Sequence, residues 1–232
     1  MSVAPAGQTE PVPILMYHYV RPDPGNGDTI GQDLSVTPDN FADQLNYLAE
    51  HHFTTMTMEE LADVRAKRRA LPPNPIVLTF DDGYRDFYTY AWPLLREHGF
   101  KATSFIITNV VDQPHYLTWQ MIDEMQRSGL IEFGSHTLSH RELPSLSDAA
   151  AKQEIEQSKQ ILESHLGHPV RSFCYPAGRI SDRDGEFVHN AGYEIAVTTK
   201  HGYAKPDQNP LRLPRMRIHG STTLSQFEGI FQ

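Results

Sequence analysis

Two adjacent carboxylates, Asp81 and Asp82, stand at the end of an apolar run and are followed by Gly83. Side by side with no countercharge they repel each other, and a cation placed at that chain end relieves the repulsion. One of them can then hold a metal ion while the other, turned away, accepts a proton. Further along, His136 and His140 lie four apart in Gly134-Ser135-His136-Thr137-Leu138-Ser139-His140. On a helical turn that spacing puts both imidazoles on one side, where they can share an ion. One aspartate with two histidines suits zinc, with cobalt or nickel as alternatives, and leaves positions open for water and substrate. An Asp-Gly pair alone is an ordinary turn, and a single histidine is an ordinary core or surface residue. The combination is what points to a metal centre. His219 reads equally as a proton donor or a loop histidine. His18, in Met16-Tyr17-His18-Tyr19, reads as a group beside the ligands or in contact with substrate. Tyr175 and Pro176 read as pocket wall, and Cys174 as a small buried hydrophobe.

These residues are far apart in sequence, so the elements that carry them must bring them together. Short runs rich in β-branched and aromatic residues alternate with segments of helical period. The strands expected are Ile14–Tyr17, Ile76–Phe80, Thr103–Ile107, Ile131–Phe133, Ser172–Tyr175, Glu194–Thr198 and Met216–Ile218. Helices are expected over Asp39–Glu50, Glu59–Arg68, Asp86–His98, Thr118–Ser128, Ser147–Leu166 and Asp182–Asn190, several with serine or aspartate at the start and glycine at the stop. Arg21–Asp33, with Pro22, Pro24, Gly25, Gly27 and Gly31, reads as a long loop. Continuous apolar strands separated by helices mean parallel strands buried on both faces, in an α/β barrel or a doubly wound sheet. In a parallel barrel His18, Asp81, Asp82, His136, His140 and His219 all follow strand ends, so they share one rim, where such folds build their active sites.

The 232 residues are one domain's worth, read as a flexible lead-in over 1–13 and a single domain over 14–232. Twenty basic against twenty-nine acidic residues give a net charge of −9, which argues against a nucleic-acid backbone as partner. One cysteine excludes an intrachain disulfide framework and a cysteine-based zinc cluster. No apolar run is long enough to span a membrane. Residues 1–13 carry neither positive charge nor apolar segment, so no signal peptide is read there.

Thr79-Phe80-Asp81-Asp82-Gly83 followed by His136-Thr137-Leu138-Ser139-His140 resembles the first two motifs of the polysaccharide deacetylases, the NodB-homology domain of carbohydrate esterase family 4. The resemblance runs from about Ile14 to His219. Ile14-Leu15-Met16-Tyr17-His18, Phe173-Cys174-Tyr175-Pro176-Ala177-Gly178 and Leu213-Pro214-Arg215-Met216-Arg217-Ile218-His219-Gly220 are more similar to the branch containing poly-N-acetylglucosamine deacetylases than to the chitin-deacetylase branch. It implies a distorted (β/α)7 barrel, with the active site at the C-terminal rim of its parallel strands, that removes acetyl groups from N-acetylated sugars. Asp81 would be the general base, Asp82, His136 and His140 the metal ligands, and His219 the general acid. Tyr175, Pro176, His18 and Arg215 would contact the acetylated polysaccharide or oligosaccharide. A secreted or envelope-associated protein is implied as well. Two departures stand out. Cys174 occupies the place of the third-motif arginine that orients the base, with Arg215 or Arg217 as the available substitutes. The fourth-motif Asp-Trp loop is not visible near Val197–Tyr203.

The chemistry suits these parts. A divalent ion lowers the pKa of water from 15.7 to roughly 7 and polarises a carbonyl. Asp81 would take the water's proton, the Tyr175 amide would help hold the oxyanion, and His219 would protonate the departing amine. The alternatives are an O-acetyl esterase of the acetylxylan type using the same site, and a carbohydrate-binding barrel that has lost turnover.

Overall fold

The computed structural model describes residues 10–25 and 27–232. Residues 1–9 of the expected lead-in lie outside them. The chain is already engaged before Ile14: Val12 is buried and exchanges two backbone hydrogen bonds with Ala204, at 2.9 and 3.0 Å.

The strands in chain order are β1 (Ile14–Tyr17), β2 (Tyr19–Val20), β3 (Ser35–Val36), β4 (Thr54–Met56), β5 (Pro75–Phe80), β6 (Ala102–Ile106), β7 (Ile131–Ser135), β8 (Ser172–Cys174), β9 (Ile195–His201) and β10 (Leu213–Arg217). The helices are α1 (Thr29–Leu34), α2 (Pro38–Glu50), α3 (Met58–Arg65), α4 (Trp92–His98), α5 (Trp119–Arg127), α6 (Asp148–Leu166), α7 (Asp182–Asn190) and α8 (Leu224–Glu228). Seven parallel strands, β1, β5, β6, β7, β8, β9 and β10, pair in sequence around a ring that β1 closes against β5. This is the distorted (β/α)7 barrel. The short β4 adds to the N-terminal half of β5.

Alternation along the strands divides the apolar residues into two sets. Ile14, Val77, Phe105, Cys174, Ile195, Val197 and Leu213 fill the barrel interior together with Met58 and Leu61 of α3, which plugs its bottom. Leu15, Tyr17, Leu78, Phe80, Phe133, Phe173 and Ala196 instead join α2, α4, α5 and α6 in the outer core. That parity matters at the rim. With Val77 inside, Thr79 and Asp81 follow it inward at i+2 and i+4, and with Leu213 inside, Arg215 follows.

Two expectations need correction, and one pair of short strands is additional. The Arg21–Asp33 loop ends in α1, because the Asp28 side chain accepts from the Gly31 amide and caps a helix there. The two-residue strands β2 and β3 pair in parallel beside it, too short to leave a periodic signal. Asp86–His98 is not one α-helix: Phe87–Ala91 is a π-turn in which the Trp92 amide bonds to the Phe87 carbonyl. Pro93 cannot donate, and its ring crowds the carbonyl four residues back, so the wider turn relieves the conflict.

Candidate active site at the barrel rim

Gly83 and Asp82 both take left-handed backbone angles, with φ of 74° and 73°. Asp82 pays a steric cost that a non-glycine residue meets there, and such strain concentrates at functional turns. The result is a split pair. Asp81 continues into the barrel, while Asp82 is swung toward the loop after β7. A side chain at Gly83 would press on Ile106 at 3.1 Å.

The loop after β7 is a turn rather than the helix the His-x3-His spacing suggests, with Thr137 and His140 also left-handed. It is pinned by its own polar residues. Thr137 Oγ1 accepts from the His140 amide at 3.0 Å, and the buried Glu154 of α6 accepts from the Ser139 amide at 2.8 Å and from its hydroxyl. Neither bond was foreseeable from spacing, because Glu154 reads as an ordinary helical glutamate. The turn nevertheless delivers both imidazoles. His136 Nε2 lies 3.4 Å and His140 Nε2 3.5 Å from the same oxygen, Asp82 Oδ1. Their ligand atoms lie within 4.8 Å of one another.

These residues fit a divalent cation on the chemistry of their donors. His136 Nδ1 is engaged with the Cys174 carbonyl at 2.8 Å, so that nitrogen carries a proton and Nε2 faces Asp82 and His140. Burial works to lower the His136 pKa, but Cys174 and the Asp82 carboxylate outweigh it and hold it well above its ordinary value; a cation bound at Nε2 would displace that second proton. Burial holds the His140 pKa below its ordinary value, favouring the neutral, ligating imidazole. His136 is buried and His140 is 40% exposed, so the group is closed on one side and open on the other.

Asp81 is organised differently. Arg215, fully buried, grips it with two parallel bonds of 2.7 Å, Nη1 to Oδ1 and Nη2 to Oδ2. The remaining guanidinium donors are used too: Nη1 on Thr79 Oγ1 at 3.0 Å, Nη2 on Cys174 Sγ at 3.3 Å and Nε on the Thr198 carbonyl at 3.0 Å. The register between β9 and β10 shifts between Leu213 and Arg215, alongside that carbonyl. Burial works to raise the Asp81 pKa, but the Arg215 charge and its hydrogen bonds outweigh it and leave the carboxyl well below the usual range. Asp81 is therefore an anion at any working pH. Burial pushes the Cys174 thiol up, so it sits beside this pair as a neutral thiol.

Arg215 was read as a substrate contact, and that is corrected here: with no exposed surface it cannot reach a polysaccharide, and its fork is spent on Asp81. Of the two substitutes expected for the third-motif arginine, it is the one that pairs with Asp81. Arg217 is not the substitute, since its Nη2 points to Asp33 at 3.4 Å. Tyr175 and Pro176 are corrected likewise. Both are buried, the Tyr175 ring packs edge-on against Phe173, and the Tyr175 amide donates to Val197 O at 3.1 Å, so it is not free for an oxyanion.

The two histidines at the ends of β1 and β10 differ in placement. His18 Nε2 lies 3.9 Å from Asp81 Oδ2 with the side chain 15% exposed, and burial lowers its pKa against the opposing charges of Asp81 and Asp82. His219 is 45% exposed and its Nδ1 is held at 2.9 Å by Asp33, a carboxylate that enters through α1 and that no motif spacing indicates.

Residues 68–196 match the family model for polysaccharide deacetylase. A Bacillus subtilis (strain 168) protein named for polysaccharide deacetylation, YxkH, is 31% identical over 93% of this chain and 74% of its own length. The poly-β-1,6-N-acetyl-D-glucosamine N-deacetylase of Staphylococcus epidermidis is 27% identical over 93% of this chain and 82% of its own. Among solved structures, the Streptococcus pyogenes deacetylase PplD in complex with acetate superposes with a TM-score of 0.90 at 28% identity, covering 97% of this chain and 99% of that one.

Proposed function

This chain belongs to the polysaccharide deacetylase family, and on that footing we propose that it is a metal-dependent hydrolase that removes N-acetyl groups from an amino-sugar polymer of the poly-N-acetylglucosamine type and releases acetate. The observation that carries this reading is the split pair. Asp82 shares one oxygen with two imidazoles, while its neighbour Asp81 is paired with Arg215 instead. A zinc ion held by Asp82, His136 and His140 would supply acidified water and a positive charge for the amide oxygen.

The chain's own residues do the rest. Asp81 takes the proton of the attacking water, a role that contributes about 10²- to 10⁴-fold. The departing sugar amine must then be protonated. That step needs a histidine that carries a proton, and burial works against one on His18, so we assign it to His219, exposed at the rim with its Nδ1 2.9 Å from Asp33 Oδ1. His18, 3.9 Å from Asp81, is left to position the base. The Tyr175 amide being occupied, the next amide along that loop is Ala177, exposed and left-handed at φ 52°, and it is our candidate donor to the oxyanion. An enzyme for such a polymer would work at the cell envelope or beyond it. Among the described residues, no helix is long and apolar enough to cross a membrane.

Acetate release from N-acetylglucosamine oligomers and from acetylxylan, each with and without chelator, tests the reading. Chelator-sensitive release from the amino-sugar oligomers is expected. Release from acetylxylan alone would make it an O-acetyl esterase, and saccharide binding without release from either would make it a binding barrel. His219→Gln is expected to lower kcat by about 10²-fold, more than His18→Gln does. The reverse order would move the donor role to His18.

A further inference from the structure

Beside the metal-ligating group runs a groove of about 610 Å³ that the chemistry above does not use, lined by Tyr19, Tyr84, Tyr90 and Tyr116 among others. Three of these rings form a pile with an arginine on top. The Arg21 guanidinium carbon lies 3.7 Å over the Tyr19 ring, Tyr19 stacks on Tyr84 at 3.9 Å between centroids, and Tyr84 stacks on Tyr116 at 5.3 Å. Both faces of Tyr19 and of Tyr84 are therefore covered. Tyr116 keeps its outer face, since among the described residues no second ring or cation stacks on it. Tyr90 is 36% exposed in the same groove.

The pile is built rather than incidental. Tyr84 follows Asp82 by two residues and is carried by the same left-handed turn. The segment bearing Tyr116 is strapped to that turn from both sides, by Arg85 N to His115 O at 2.8 Å and Leu117 N to Gly83 O at 2.9 Å, with Arg85 Nε on the Tyr116 carbonyl at 3.2 Å. His115 and Asp112 take left-handed angles to make the strap. Part-exposed tyrosines fixed in this way spend no ordering entropy when something lands on them. They offer an apolar face with polar edges. A pyranose ring has the matching form, with an apolar C–H face and hydroxyls around its rim. The arginines of this groove are already occupied, Arg21 by Tyr19 and Ser35 and Arg85 by the Tyr116 carbonyl, so the groove suits an uncharged sugar better than an anion.

We propose that this tyrosine-walled groove seats a second sugar ring of the acetylated polymer, adjacent to the one being deacetylated, with its apolar face on Tyr116. The inference rests on the proposed function.

The test measures kcat/KM on N-acetylglucosamine and on its β-1,6-linked oligomers of two, four and six units. For the wild type the ratio of hexamer to monomer is expected to be about tenfold or more, one aromatic stacking contact and its attendant burial. Tyr116→Ala is expected to cut that ratio by at least about fivefold, while Tyr116→Phe, which keeps the ring, holds it within about twofold. Because a ratio is read, a general loss of folded protein cancels. An unchanged ratio in Tyr116→Ala, or a wild type indifferent to length, overturns the groove proposal and leaves the deacetylase reading standing. A wild type that releases acetate from none of these sugars overturns both.

Discussion

Asp81→Asn is expected to lower kcat by about 10²- to 10⁴-fold, the usual worth of a general base, without loss of bound metal. The two aspartates are adjacent, yet the left-handed turn at Asp82 and Gly83 gives them different neighbours. Asp82 faces the imidazoles. Asp81 faces Arg215, Cys174 and His18. Asparagine keeps one acceptor for the guanidinium and removes the proton-accepting charge. Steady-state kinetics on an N-acetylated oligomer, with metal content measured on the same sample, checks this. Turnover near the wild-type level would remove Asp81 as the base. Loss of metal together with turnover would mean that Asp81 belongs to the ligand set after all.

The second large effect is on stability. Arg215→Met is expected to cost about 3–5 kcal/mol, because it leaves a buried carboxylate with no countercharge. It also strips donors from Thr79, Cys174 and the Thr198 carbonyl. Methionine fills much of the volume, so the loss reports the charge rather than a cavity. A double-mutant cycle with Asp81→Asn isolates the pair. Once Asp81 is neutral, Arg215→Met should cost less by about 2 kcal/mol or more, within the range found for coupled contacts. Urea unfolding of the four proteins measures it. Additive losses would show that the two residues do not depend on each other. Arg215→Lys keeps a charge but not the paired geometry, and should fall between wild type and Arg215→Met.

This pair also shows what the sequence disclosed and what it withheld. The barrel was legible because apolar strand runs and helical periods alternate regularly. The rim residues were legible because each followed a strand end directly. Asp82, His136 and His140 come together as their types and order implied, although the spacing of the two histidines suggested a helix and the chain makes a left-handed turn held by Glu154 instead. Arg215 was legible as one of two substitutes for the third-motif arginine, and only its other reading, as a substrate contact, fails. Its signal was present: counting two residues on from Leu213 puts it inside the barrel, and an arginine there needs a carboxylate. Tyr175 and Pro176 were assigned to the pocket because they follow a strand end, but strand parity turns the Tyr175 ring into the outer core. Asp33 lies 186 positions from His219, inside a stretch that read as loop. The tyrosine pile joins three separate segments, and no spacing rule links residues 19, 84 and 116. Long-range polar pairing is set by register and loop path, which composition does not encode.

The most direct check is a count of metal per chain after loading with zinc and desalting. Wild type and Asp81→Asn should retain about one equivalent, while Asp82→Asn, His136→Ala and His140→Ala should each retain a small fraction of it, since removing a direct ligand costs more than the 10- to 100-fold typical of an outer partner. If the wild type holds no metal, or if the three ligand variants hold as much as it does, no cation is gripped at this rim and the assignment of the site fails.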